Sequence, residues 1–191
     1  SDLFFLPNVS LDVYVKMNRP FYPNFSQEVL ERCLQDFELP LSLNLNELSM
    51  GQKKKAYMSF ALATGTKYLF MDEPTNGLDI PSKSQFRKVI ANNMTDERML
   101  IISTHQVHDI ESLLDHIVIL NQNNLLLDAS VADICEDYSF EYRTPAEMDD
   151  TVLYAEPTLQ GNAVIAKRKA GSRETQMNLE LLFNAAINGK L

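Results

Sequence analysis

The chain has 191 residues, 45% hydrophobic and 23% charged, enough to bury a core in one domain with an appendage and too apolar for a disordered tail. A formal net charge of −9 argues against a nucleic-acid binder that depends on a basic surface. No apolar run approaches the length of a membrane span, so work at a membrane would need another chain to do the spanning.

The start, Ser1-Asp2-Leu3, lacks the charged, apolar and small-residue succession of a secretory leader. Ser10 to Val15 reads as a short helix capped by Ser10, with Asp12 in a first turn that favours negative charge; Asn18 to Pro23 breaks it. Ser26, Gln27 and Glu28 open a second helix on which Val29, Leu30, Cys33, Leu34 and Phe37 recur at helical spacing, and Pro40 stops it. Cys33 and Cys135 are too few for a disulfide scaffold, which points to a reducing, cytoplasmic setting.

Next, Asn46-Glu47-Leu48-Ser49-Met50-Gly51-Gln52 leads into a helix former, Ala56 to Ala63. Ser, Gly and exposed amides before a helix make an anion site, because unpaired N–H groups and the helix dipole point the same way. Lys53, Lys54 and Lys55 oppose that dipole; a nearby phosphate would compensate them, while the plainer reading is a solvated face. Tyr68-Leu69-Phe70-Met71 then reads as a buried strand whose carboxyl end delivers Asp72 and Glu73 into a crevice, where open α/β sheets place their ligands. Two adjacent carboxylates can divide the labour of phosphate-ester hydrolysis: Asp72 holds Mg²⁺, and Glu73 orients the attacking water. A solvated acidic turn is the plainer alternative.

Pro81 suits the first turn of a helix to about Asn93, with Phe86, Val89 and Ile90 inward. Met99 to Ile102 is a second apolar strand, ending Ser103-Thr104-His105. Parallel crossovers would set His105 on the same rim as Asp72 and Glu73. His108, Asp109, Asp115 and His116 match no recognised metal-ligand pattern; Val107, Ile110 and Leu114 read instead as the inner face of a helix. Ile117 to Leu120, a polar turn from Asn121 to Asn124, and Leu125 to Leu127 form a hairpin. Glu136 to Asp150 reads as an acidic connector, followed by strands at Thr151 to Ala155 and Ala163 to Lys167. An amphipathic helix from Asn178 to Ile187 carries Leu179, Leu182, Phe183 and Ala186 on one face.

Asp72-Glu73-Pro74-Thr75-Asn76-Gly77-Leu78-Asp79 after its apolar run resembles the Walker B strand, catalytic Glu and D-loop of the ABC-type ATPases, apolar-D-E-P-T-x-x-L-D. Leu48-Ser49-Met50-Gly51-Gln52 resembles their signature L-S-G-G-Q, with Met50 in place of the first glycine. The order signature, helix, Walker B, D-loop is peculiar to that family. The resemblance implies a P-loop α/β fold, with a helical signature subdomain over 1–64, the rest of the ATPase lobe over 65–137 and an α+β appendage over 138–191. It implies ATP and Mg²⁺ as ligands, Ser49, Gly51 and Gln52 meeting the ATP held mainly by a partner, Asp72 on Mg²⁺, Glu73 as general base, Asp79 as a link across the dimer and His105 as γ-phosphate sensor. The implied partners are a second ATPase subunit, head to tail, and a transmembrane transporter subunit, with the chain peripheral on the inner face of the cell membrane.

The family's phosphate loop, G-x-x-x-x-G-K-[S/T], occurs nowhere in the chain, which therefore reads as a C-terminal portion expected to hydrolyse ATP negligibly alone. The competing expectations are a non-transport ABC ATPase of the chromosome or translation-factor type, and a non-catalytic interaction module. The absence of a long heptad segment and the acidic charge disfavour the first of these.

Overall fold

The computed structural model describes residues 8–169 and 171–191, so the leader reading at Ser1 to Leu3 lies outside the described residues. The chain divides into two compact units, one ending at Asp109 and the other spanning Ile110–Leu191.

In the first unit each helix begins where a polar side chain satisfies an otherwise orphaned N–H. Ser10 caps α1 (Leu11–Asn18), Ser26 caps α2 (Gln27–Asp36), Ser49 caps α3 (Met50–Ala63) and Asp79 caps α4 (Ile80–Asn93). Pro40 does not stop α2. The helix ends in a left-handed turn at Glu38 (φ 57°), where the Leu39 N–H reaches the Leu34 carbonyl and the Glu38 N–H reaches Gln35, so the last carbonyls are satisfied before the proline is met.

Helix α2 packs against α3, and both touch α4. Leu30, Cys33 and Phe37 from α2, Leu62 and Ala63 from α3, and Phe86 and Val89 from α4 are buried. Burial pushes the Cys33 thiol up to about 11, so it behaves as a packing group rather than a nucleophile. Polar ties reinforce the α2–α4 contact: Arg32 donates to Asn93 at 2.7 Å and Lys88 to Asp36 at 2.7 Å. On the other side of α3, Phe60 gathers the rings of Tyr14, Tyr22 and Phe25 with centroids 5.3, 5.7 and 5.5 Å away.

Strands β1 (Tyr68–Asp72) and β2 (Met99–Ser103) run parallel in the register Tyr68↔Met99 to Asp72↔Ser103. The first was expected to be buried, and it is buried on one face only. Met71 is covered, whereas Tyr68, Phe70, Met99 and Ile101 on the opposite face are 55%, 72%, 54% and 40% exposed. Parallel strands are ordinarily covered on both faces, and this pair presents one bare apolar side.

In the second unit, β3 (His116–Asn121) and β4 (Asn124–Ser130) form the expected hairpin, turning through Gln122 and Asn123 at φ 46° and 67°. Three readings from residue 107 onward need correction. Residues 107–114 form two short 3-10 turns, Val107–Asp109 and Glu111–Leu113, instead of one helix. The supposed connector contains the end of α5 (Val131–Asp137) and β5 (Tyr138–Arg143), which joins β6 (Val152–Thr158) and β7 (Gly161–Lys167) in an antiparallel sheet of order β5-β7-β6. The final helix, α6 (Leu179–Ile187), buries Leu179, Leu181, Leu182, Ala185 and Ala186, while Phe183 is 39% exposed. Its N-terminus is closed by Glu111, whose carboxylate accepts from the Leu179 N–H at 2.6 Å.

Gly65 follows α3 at φ 67°, and a Cβ there would lie 2.3 Å from the Asn24 carbonyl oxygen. Gly65→Ala is therefore expected to destabilise the first unit by about 2 kcal/mol or more, through backbone strain plus a backbone clash. Chemical denaturation of the variant checks this; an unchanged midpoint would mean that the turn rearranges freely.

Candidate functional site

Parallel pairing of β1 with β2 puts the residues that follow both strands on one rim. Asp72 and Ser103 are directly paired, and the Ser103 hydroxyl donates to Asp72 Oδ1. The Glu73 N–H donates to the Ser103 carbonyl at 2.8 Å, extending the ladder by one bond as the chain turns away with Glu73 at φ 45°. That left-handed backbone is disfavoured for a residue with a Cβ and persists only where the surroundings impose it.

The Glu73 carboxylate is held from the β2 side. Oε2 accepts from the Thr104 hydroxyl at 2.9 Å; Oε1 accepts from the His105 N–H at 2.9 Å and lies 2.6 Å from His105 Nδ1. An ionised carboxylate cannot donate, so Nδ1 carries the proton. Partial burial alone would raise the Glu73 pKa, but the bonds from the His105 ring, Thr104 and the His105 N–H outweigh it and hold the carboxyl below its ordinary range. Glu73 is accordingly ionised at neutral pH. The His105 side chain is 72% exposed, which leaves its Nε2 edge open to a ligand.

The loop bearing His105 is pinned to α4. Lys83 pairs with Asp109 at 2.7 Å and reaches Gln106 at 3.3 Å, and Arg87 donates to the Asp109 carbonyl at 3.3 Å. Thr104, Lys83 and Asp109 were not singled out from the sequence as site residues; their signal is tertiary.

Ser49 and Gln52 close the start of α3 as a reciprocal capping box. Gln52 N–H donates to Ser49 Oγ at 3.2 Å and Ser49 N–H donates to Gln52 Oε1 at 3.0 Å. Ser49 is exposed and its hydroxyl retains a proton to give. Gly51 lies inside the first turn with helical backbone, and a Cβ there would meet Leu78 at an ordinary 3.6 Å. The fold does not require a glycine at this position, although glycine costs a helix about 1 kcal/mol relative to alanine. Asp79 is exposed, accepting from the Ser82 N–H at 2.9 Å as the cap of α4, and the bonds to Ser82 hold its carboxyl below the usual range.

The expected solvated lysine face is not what forms. Lys54 donates to the carbonyls of Glu73 at 2.9 Å and Asn76 at 2.6 Å, while Lys55 donates to Gln85 on α4 at 2.7 Å.

Asp72 is exposed and ends a strand as a hard oxygen donor beside the Ser103 hydroxyl. Among the described residues no cluster of three or more His, Cys, Asp or Glu side chains could cage a metal ion. A single carboxylate of this kind fits Mg²⁺ that brings phosphates and waters as its other ligands.

No protein-family model matches the chain. Among curated proteins it is 29% identical over 110 residues to the zinc uptake system ATP-binding protein ZurA of Listeria innocua, covering 56% of this chain and 42% of that protein. It is 25% identical over 125 residues to the ABC transporter ATP-binding protein YtrB of Bacillus subtilis, covering 65% and 43%. The chain thus spans under half the length of these relatives. Among solved structures, an ATP-binding subunit of an ABC transporter superposes with a TM-score of 0.59 at 23% identity, over 68% of this chain and 57% of that one. A structure described as a cobalt transport ATP-binding protein gives 0.61 at 18% identity, over 100% and 70%. These structural likenesses establish the fold alone, part of the P-loop α/β fold of those subunits. In sequence and in fold, the chain is similar to the ATP-binding proteins of ABC transporters.

Proposed function

We propose that this chain is the signature-bearing, catalytic-carboxylate part of the nucleotide-binding subunit of an ABC transporter, coupling ATP binding and hydrolysis in a head-to-tail dimer to transport. The observation that carries the reading is the Glu73–His105 pair: an ionised carboxylate joined at 2.6 Å to an imidazole whose other edge is open, both at the ends of paired parallel strands.

In this reading Glu73 accepts the proton of the attacking water. Its depressed pKa keeps the acceptor form fully populated at neutral pH and suits orientation of water more than strong basicity. With Nδ1–H engaged by Glu73, His105 meets a terminal phosphate oxygen through Nε2, as a donor when the ring carries both protons. Asp72 would hold Mg²⁺, which when bound neutralises phosphate charge. The Ser49 hydroxyl and the backbone at Gly51 would approach ATP held mainly by the partner subunit, with Gln52 supporting the cap and Asp79 facing across the dimer. Among the described residues no helix is long and apolar enough to cross a membrane, so the reading assigns the crossing to a transmembrane subunit on whose cytoplasmic side this chain sits.

In the ATPase containing this chain, Glu73→Gln is expected to cut turnover by roughly 10² to 10⁴ while leaving ATP affinity within a few-fold, as for loss of a general base. Steady-state turnover and nucleotide titration check it; unchanged turnover would remove Glu73 from the chemistry. The amide oxygen can still accept from the His105 N–H, its NH2 can donate to the Thr104 hydroxyl instead of accepting from it, and the charge facing the ring is lost.

Gly51 separates fold from function. Gly51→Ala is expected to leave thermal stability unchanged or raise it by about 1 kcal/mol. Gly51→Asp, which sets a negative charge beside the partner's phosphate, is expected to abolish ATP-dependent dimerisation in sizing chromatography while binding of ATP to the monomer survives. Loss of monomer binding would mean that the signature acts within its own subunit.

A further inference from the structure

The turn that carries Glu73 is poorly held by its own bonds. Its first residue has φ 45° without being glycine, the Asn76 N–H reaches the Glu73 carbonyl only at 3.3 Å, and the Thr75 hydroxyl is buried without a hydrogen-bond partner. Such a turn needs support from outside. The support comes from α3: Lys54 Nζ donates to the carbonyl oxygens at both ends of the turn, Glu73 at 2.9 Å and Asn76 at 2.6 Å. One ammonium bridging two carbonyls fixes their separation, and bonds with a charged donor are about twice as strong as neutral ones.

We propose that Lys54 is a positioning residue for Glu73, clamping the left-handed turn so that the carboxylate stays aimed at His105. Lys54 lies three residues after Gly51, so the two share a helix face one turn apart. A shift at the first turn of α3, where Ser49 and Gly51 stand, is therefore transmitted to the backbone of Glu73 through a rigid helix and two hydrogen bonds. Its neighbours do other work: Lys55 ties α3 to α4 through Gln85 and lies over the Phe37 ring, and neither it nor Lys53 bonds the turn. The clamp is a property of this chain; its consequence for turnover rests on the ATPase reading above.

The test uses the full-length protein with Lys54→Met, Lys54→Arg and Lys53→Met, each with and without Glu73→Gln. Lys53→Met removes the adjacent charge but neither clamp bond. Hydrogen–deuterium exchange, which needs no activity, is expected to accelerate about tenfold at residues 73–78 in Lys54→Met and far less in Lys54→Arg, whose guanidinium can still donate to two carbonyls. Turnover in Lys54→Met is expected to fall about tenfold with KM for Mg-ATP within twofold, Lys54→Arg recovering most of it. In the Glu73→Gln background Lys54→Met is expected to add no further loss, because a residue that acts only by aiming a carboxylate has nothing left to aim. Unchanged exchange at 73–78, an equal loss from Lys53→Met, or an additive loss beside Glu73→Gln would overturn the proposal. A protein that exchanges as expected yet turns over no ATP even as wild type would overturn the ATPase reading and leave the clamp standing.

Discussion

The register of β1 against β2 is the constraint on which the site depends. Asp72 opposite Ser103 brings Thr104 and His105 to the Glu73 carboxylate and lets the Glu73 N–H take the Ser103 carbonyl. A slip of one residue would turn every side chain of β2 to the other face and take Thr104 and His105 away from the Glu73 carboxylate. The register is specified by hydrophobic burial, since Met71 must face the core, and by main-chain bonding before the first strand residue, where the Met99 N–H reaches the Lys67 carbonyl at 2.8 Å.

Much of the site was legible in the sequence because its parts are local in the chain. Asp72 and Glu73 are adjacent, Ser49 to Gln52 is one capping box, and strand–helix alternation sufficed to bring His105 to their rim. What could not be read is what crosses long separations. Lys54 serves Glu73 from 19 residues away, Thr104 serves it from 31, and Lys83 holds Gln106 from 23. A lysine triplet at a helix start has the composition of a wet face whether or not each ammonium finds a carbonyl. The fold misreadings have similar causes. Pro40 was an obvious stop, but a glutamate in the left-handed region ended the helix first. Residues 138–143 looked like a connector because their charges and Pro145 masked a strand that needs β7, some twenty residues later, to exist.

The glycines divide along the same line. Gly65 is demanded by its own backbone and by Asn24, whereas Gly51 satisfies no requirement of the chain that contains it. A residue that costs helix stability and relieves no clash is not explained by the fold, and the proposed approach of a ligand to main-chain amides would account for it. The bare face of Tyr68, Phe70, Met99 and Ile101 is likewise unexplained by the described residues themselves.

The bond from Glu111 to the start of α6, taken with the strand order β5-β7-β6, bears on how the second unit is made by a ribosome. Strand β5 emerges early but pairs only with β7, and the carboxylate of Glu111 waits for Leu179, 68 residues downstream. Nascent β5 therefore spends its time in the exit tunnel's shadow as an unpaired edge, and this unit closes after synthesis has passed Ile187 rather than in step with it. A stall or premature stop before Asn178 would release a chain whose second unit lacks the helix that packs against β7, a species that quality-control proteases and chaperones are built to find.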